Sequence, residues 1–179
     1  MPASRRLSQR ISEGDGIAII VRVVDVAAAR DAEREGAKAI AVDRAIDGIR
    51  GATTLPLLWT GAGPPVDADA LTIRPDDEQG PPELEHVADV RDEDELELVL
   101  EQLDPEIFLL SAHDSGDEDD PLETVLELLP DVPAGKLAIA GLEAATREDV
   151  LALERAGIDA VLVGEGRVAE LVGAQPPDV

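Results

Sequence analysis

The sequence contains no cysteine and very few aromatic residues. Its 179 residues include one tryptophan, Trp59, one phenylalanine, Phe108, and no tyrosine. The absence of cysteine excludes a disulfide framework and a thiolate metal site. Hydrophobic residues nevertheless make up 44% of the chain, so a core of alanine, valine, leucine and isoleucine is expected. The length suits one domain with a core of its own.

Positive charge is also scarce, and lysine most of all. The only lysines are Lys38 and Lys136, beside 13 arginines, and the net charge is −25. Nucleic acids and anionic membranes need basic patches, so neither is expected as a partner. The acidic excess is interpreted as a solvated surface. The same applies to the acidic loop at 114–120, whose spacing differs from that of a calcium-binding loop. We expect no metal and no cofactor.

No apolar run approaches the length of a transmembrane helix. The segment 1–15 lacks the apolar region of a secretory signal. We therefore expect a cytoplasmic protein, monomeric or weakly homo-oligomeric, with one domain over residues 1–179. Within it, residues 1–15 are predicted to form an N-terminal extension or short helix, and residues 174–179 a flexible tail.

Short apolar runs alternate along the chain with amphipathic helical segments. Strands are predicted at residues 16–23, 39–42, 55–59, 68–73, 85–90, 106–111, 136–141 and 159–163. Helices are predicted at residues 26–37, 44–51, 91–103, 121–129, 146–157 and 167–173. The connections at 60–67 and 74–84 are too short for ordinary helices and are predicted as loops.

Continuous apolar strands that alternate with crossover helices indicate a parallel sheet covered on both faces. Eight such units favour a closed barrel. The predicted fold is therefore α/β, a compact (βα)8 or TIM barrel, with helices missing or reduced after the third and fourth strands. The competing architecture is an open, doubly wound sheet.

Two segments carry a family resemblance, VADVRDEDELELVL at 87–100 and AGLEAATREDVLALERAGIDAVLVGEG at 140–166. They resemble the indole-3-glycerol phosphate synthase family, whose members are phosphate-binding (βα)8 barrel lyases of tryptophan biosynthesis. Residues 27–44 and 53–59 are similar to its first helix and its second and third strands, more weakly. Related phosphate-binding barrels share part of the C-terminal pattern.

The resemblance implies a catalytic face whose groups are changed in this sequence. The family closes and decarboxylates a carboxyphenylamino-deoxyribulose phosphate, and needs lysines on the third and first strands and glutamates on the fifth and seventh. Those lysines fall at Thr60 and near Val21, and the glutamates at Asp89 and Gly141. Neither threonine nor valine can supply the proton that an ammonium would.

The chain's two lysines cannot replace them, because Lys38 and Lys136 precede the second and seventh strands. They are therefore expected at the amino-terminal face, opposite the family's active site.

The resemblance also places the family's remaining substrate contacts. Its sixth-strand asparagine and arginine fall at Ser111 or Ala112 and at His113. Its phosphate loops follow the seventh and eighth strands, where backbone N–H groups of Gly164 and Gly166 could still hold an anion. Glu143 and Glu165 lie in the same loops and would repel it. The candidate substrate-binding residues are Thr60, Ser111, Gly141, Gly164 and Gly166.

Two functions remain open. The first is a barrel related to the synthases that has lost catalysis and serves as a pseudoenzyme or binding module for a small molecule at the barrel mouth. The second is an active synthase, or a related carbon–carbon lyase, with a rebuilt site. In it Asp89 would be the general base and His113 its acid partner. A plain ion pair of Asp89 with Arg91 or a neighbouring arginine is the simpler interpretation of that carboxylate.

Overall fold

The structure is a computed structural model that describes residues 6–13, 16–77, 80–111, 120–143, 145–165 and 168–172. Eight parallel strands form a closed barrel in chain order, and the last strand pairs with the first. The strands are β1 (Ala18–Arg22), β2 (Ala39–Val42), β3 (Leu57–Trp59), β4 (Ala70–Ile73), β5 (Glu85–Val90), β6 (Ile107–Ser111), β7 (Leu137–Leu142) and β8 (Ala160–Val163). The predicted barrel is confirmed, and the open-sheet alternative is wrong.

Helices surround the barrel unevenly. The structure has α1 (Leu7–Ser12), α2 (Val26–Glu35), α3 (Ile49–Ala52), α4 (Glu93–Gln102), α5 (Pro121–Leu128), α6 (Arg147–Ala156) and α7 (Val168–Val172), with a 3-10 turn at Leu129–Asp131. The described residues that connect β3 to β4 and β4 to β5 contain no helix, as predicted. The predicted flexible tail at 174–179 lies outside the described residues. In the described part of the chain, no helix has the length and apolarity to cross a membrane.

Local signals in the sequence explain where the longer helices begin and end. Asp92 caps α4 by accepting a 2.8 Å hydrogen bond from the Glu95 N–H. Thr146 and Asp149 form a capping box at the start of α6. Gly157 ends α6 with a φ of 101°, a left-handed conformation that glycine adopts without steric cost.

The core has two layers because side chains on each strand alternate in direction. The inner layer fills the barrel with small and branched side chains from every strand, among them Ala18, Ile20, Val87 and Leu109. The outer layer, which includes Val21 and Phe108, packs between the strands and the helices.

Helix α1 closes the amino-terminal end of the barrel. Its Leu7 and Ile11 belong to the inner layer, and the Ser8 N–H donates to the Glu85 carboxylate at 3.2 Å. The carboxyl ends of the strands carry no such plug among the described residues. They form the barrel mouth, where active sites of this fold lie.

Candidate functional site

The carboxyl ends of the strands surround a cavity of about 470 Å³. Its walls combine two guanidinium groups, three carboxylates and several hydroxyls above an apolar floor. The lining residues are Arg22, Asp43, Thr60, Thr72, Asp89, Arg91, Leu109, Ser111, Pro121, Gly141, Leu142, Glu143, Leu162, Val163 and Gly164. This group of residues is called the mouth below.

The mouth continues the inner layer of the barrel by one further residue on each strand. Arg22 follows Ile20, Asp89 follows Val87, and Ser111 follows Leu109, each at a spacing of two. Because alternate residues of a strand share a face, these polar groups point toward the axis. The polar ring therefore begins where the apolar filling of the barrel ends.

The structure brings together most of the residues that the sequence predicted for the site. Thr60, Asp89, Ser111, Gly141 and Gly164 all line the mouth. His113 and Gly166, together with Ala112, lie outside the described residues. The individual roles of these residues stay predictions.

Asp89 sits in a ring of donors and is largely buried. The Ser111 hydroxyl donates to its Oδ1 at 2.8 Å. Its Oδ2 lies 3.7 Å from Arg91 Nη2 and 3.8 Å from Arg74 Nη1, and 14% of the side chain is exposed. Two positive charges therefore flank one carboxylate oxygen, which is the ion-pair arrangement that the sequence left open as the simpler interpretation.

Arg74 was not predicted, and it organises this wall of the mouth. Its guanidinium pairs with the Glu95 carboxylate and donates to the Asp89 carbonyl oxygen at 3.2 Å. Glu95, from α4, also accepts the Arg91 N–H at 2.8 Å. The three elements β4, β5 and α4 are thus tied together around Asp89, which limits the movement of its side chain.

The opposite wall holds a second pair of opposite charges. Arg22, at the end of β1, places Nη1 2.7 Å from Oε1 of Glu143, which follows β7. Arg22 Nε is buried and has no hydrogen-bond partner among the described residues. Glu143 is 82% exposed and Arg22 36% exposed, so this pair faces the opening of the cavity.

The turn after β8 is packed against the same glutamate. The Gly164 N–H donates to the Glu143 carbonyl oxygen at 3.1 Å. A Cβ at Gly164 would lie 2.8 Å from that oxygen, so only glycine fits here without a shift. The Gly164 N–H is therefore engaged within the protein.

Comparison with known proteins supports the resemblance seen in the sequence. The sequence similarity is to indole-3-glycerol phosphate synthases. Identity is 35% over 80 residues to the synthase of Alkaliphilus metalliredigens, 36% over 86 residues to that of Chlorobaculum tepidum, and 48% over 44 residues to that of Variovorax paradoxus.

These matches are partial. The first two cover 45% and 48% of this chain, but only 30% and 33% of the synthases themselves, and the third covers 25% and 16%. The chain thus matches about a third of the length of these curated relatives or less. No protein-family model matches it.

The fold is shared with an enzyme of known structure. The structure aligns with thiamine phosphate pyrophosphorylase from Pyrococcus furiosus at a TM-score of 0.61, covering 87% of this chain and 93% of that one. Sequence identity over the alignment is 18%, so the likeness concerns the fold alone.

The first-strand position of the synthase lysine must be corrected by one residue. The sequence placed it near Val21, but Val21 belongs to the outer layer and faces the helices. Arg22 is the residue of β1 that reaches the mouth. The period of two along β1 could have shown this, since Ala18 and Ile20 fill the barrel and Arg22 continues their row.

The two lysines lie at the other end of the barrel, as expected. Lys136 immediately precedes β7, and its Nζ pairs with Asp104 at 2.9 Å. Lys38 immediately precedes β2. At the third-strand position, Thr60 donates its hydroxyl to the Val42 carbonyl oxygen at 3.2 Å. Among the described residues, the cations that line the mouth are therefore guanidiniums.

The described residues contain no candidate metal centre. Within that part of the chain, no three histidine or acidic side chains come together as a set of metal ligands. The carboxylates of the mouth are engaged by arginines instead: Asp43 with Arg44 at 3.1 Å and Glu143 with Arg22 at 2.7 Å.

Proposed function

We propose that this chain is a synthase-like barrel that has lost the ring-closing reaction and binds a small molecule at its mouth. The observation that carries the proposal is the nature of the cations there. Ring closure needs an acid that protonates a carbonyl and then a leaving hydroxyl. Arg22 and Arg91 supply charge, but a guanidinium does not release its proton in proteins. The cytoplasmic location and the monomeric or weakly oligomeric state remain part of the proposal.

The third- and seventh-strand positions support the same conclusion. The Thr60 hydroxyl proton is directed at the Val42 carbonyl oxygen rather than into the cavity. Gly141 offers no side chain at all. A Cβ there would lie 3.3 Å from the Ser111 Cβ, so a larger residue would need the neighbouring strand to shift by a few tenths of an ångström.

Phosphate is expected to bind weakly, because the groups that would hold it are engaged or opposed. Barrels of this kind bind phosphate with the loops after strands seven and eight and the amino end of a short helix. Here the Gly164 N–H donates to Glu143, and the Val168 N–H of α7 donates to Glu35 Oε2 at 3.1 Å. Glu143 adds a negative charge beside them.

The purified protein should show no formation of indole-3-glycerol phosphate above background. Loss of a positioned acid commonly costs about 10²- to 10⁴-fold in rate, and two such positions are changed here. The test is a direct assay of the wild type, with an authentic synthase as the positive control for the substrate.

The alternative is an active enzyme with a rebuilt site, favoured by the partly buried hydrogen bond between Asp89 and Ser111. Asp89→Ala and His113→Ala decide it. Turnover in the wild type that disappears in both variants would overturn the proposal and assign the acid–base work to these two residues.

Restoring the synthase groups is expected to yield a trace of activity at most. The variant combines Arg22→Lys, Thr60→Lys and Gly141→Glu, using the corrected position on β1. The new glutamate is crowded by Ser111, and Glu143 still opposes the substrate phosphate. Activity approaching that of a synthase would show that the catalytic geometry is intact and that only the groups were lost.

A further inference from the structure

Glu143 joins two parts of the mouth that are distant in sequence. Its Oε1 receives Arg22 Nη1 from β1 at 2.7 Å across 121 positions of the chain. Its Oε2 would be 3.4 Å from a Cβ placed on Gly164 in the β8 turn. The carboxylate therefore lies between the first strand and the β8 turn, close to the only guanidinium on this wall among the residues described.

This is the position that an external anion would take in such a barrel. An anion at the mouth would use the β8 turn for hydrogen bonds and the nearest cation for charge. Both are already in contact with Glu143, through its carboxylate and its backbone carbonyl. Glu143 thus takes the place of a bound anion, with its carboxylate at the guanidinium of Arg22 and its backbone carbonyl at the N–H of the β8 turn.

We infer that Glu143 is an internal counter-ion that occupies the anion position of the mouth and determines that the mouth rejects phosphate. The inference rests on the proposed function in taking the mouth as the ligand site. It goes further by assigning the rejection to one residue. An incoming anion must displace the carboxylate from Arg22 and then remain beside it.

The exposure of Glu143 sets the size of the expected effect. A surface ion pair contributes little stability, so an anion can separate it, but two like charges at about 4 Å repel even in water. Removing the charge of Glu143 while keeping its shape should therefore raise phosphate affinity by about fivefold to tenfold.

The experiment is an amide NMR titration with inorganic phosphate at constant ionic strength. Wild type, Glu143→Gln and Glu143→Ala are compared, and the amide spectrum shows whether each variant is folded. Phosphate should bind both variants about fivefold to tenfold more tightly than the wild type, with the largest shifts at Gly164 and Arg22.

Two further variants separate occupancy of the site from a general change in charge. Glu148→Gln, at an exposed position in the first turn of α6, makes the same charge change and should leave phosphate affinity within twofold of the wild type. Arg22→Gln combined with Glu143→Gln should lose the gain, because the cation that Glu143 masks is then absent.

The inference is wrong if Glu143→Gln binds phosphate no better than Glu148→Gln, or if the gain persists without Arg22. Synthase turnover in the wild type would overturn the proposed function alone, since it is measured without these variants. Phosphate binding decides the role of Glu143 whichever way the activity assay falls.

Discussion

Replacing Phe108 with alanine should lower the free energy of unfolding by about 3–5 kcal/mol. Phe108 is fully buried in the outer layer of the core, between β6 and the helices. It is the largest of the fully buried side chains and one of two aromatic residues in the chain. The surrounding aliphatic side chains are held by a closed barrel, so the space left by the ring should collapse only in part.

The matched control is Phe108→Leu, which keeps most of the apolar volume and should cost about 1.5 kcal/mol or less. Urea unfolding of the three proteins gives the comparison, provided that the denaturant slopes agree. A loss for alanine no greater than that for leucine would mean that the outer layer repacks freely around β6.

Replacing Gly61 with alanine should cost about 3 kcal/mol of stability, the upper end of what overpacking usually costs. Gly61 follows β3, and a Cβ there would collide with the carbonyl oxygen of Asp43 and lie 2.9 Å from its carbonyl carbon. The obstacle is backbone, which cannot rotate away as a flexible side chain can. Relief requires that the ends of β2 and β3 separate, which also displaces Asp43 and Thr60 in the mouth.

Gly63→Ala is the control for that substitution, because it lies in the same loop and a Cβ there meets nothing within 4 Å. Its effect should stay within about 0.5 kcal/mol, as for most surface substitutions. Thermal unfolding of both variants checks the pair. Equal stability of the two would show that the contact between Gly61 and Asp43 is readily relaxed.

Much of the barrel could be predicted because its strands are continuous apolar runs. The bounds of β2 and β5 agree with the prediction, and the helices lie between the expected strands. The starts of β3 and β4 were predicted two residues early. The N–H of Leu57 donates to the Asp69 side chain at 2.8 Å, a contact that local sequence patterns do not reveal. Pro56, just before it, has no N–H to donate to a ladder.

Part of the site could be located from the sequence. The family resemblance pointed to Asp89, Thr60 and Ser111, and all three line the mouth, where they continue the inner layer of their strands at a spacing of two. Arg22 follows from the alternation of β1, which puts it in the same row as Ala18 and Ile20, and not from the resemblance, which points near Val21. The pairing of Arg22 with Glu143 joins opposite ends of the chain, so nothing local indicates it.

The uneven ring of strands has a consequence for how the molecule opens. The ladder between β3 and β4 runs from the pair Leu58–Ala70 to the pair Trp59–Leu71, whereas that between β6 and β7 extends from Ile107–Leu137 to Ser111–Gly141. A closed barrel must separate between two neighbouring strands before it unfolds, and the pair joined by the shortest ladder costs the least free energy to separate. Amide hydrogens along β3 and β4 should therefore exchange with solvent earliest among the strands. A ring parted there would expose two strand edges, each able to pair with another chain. Opening between β3 and β4 would then limit how long a concentrated solution stays free of aggregates.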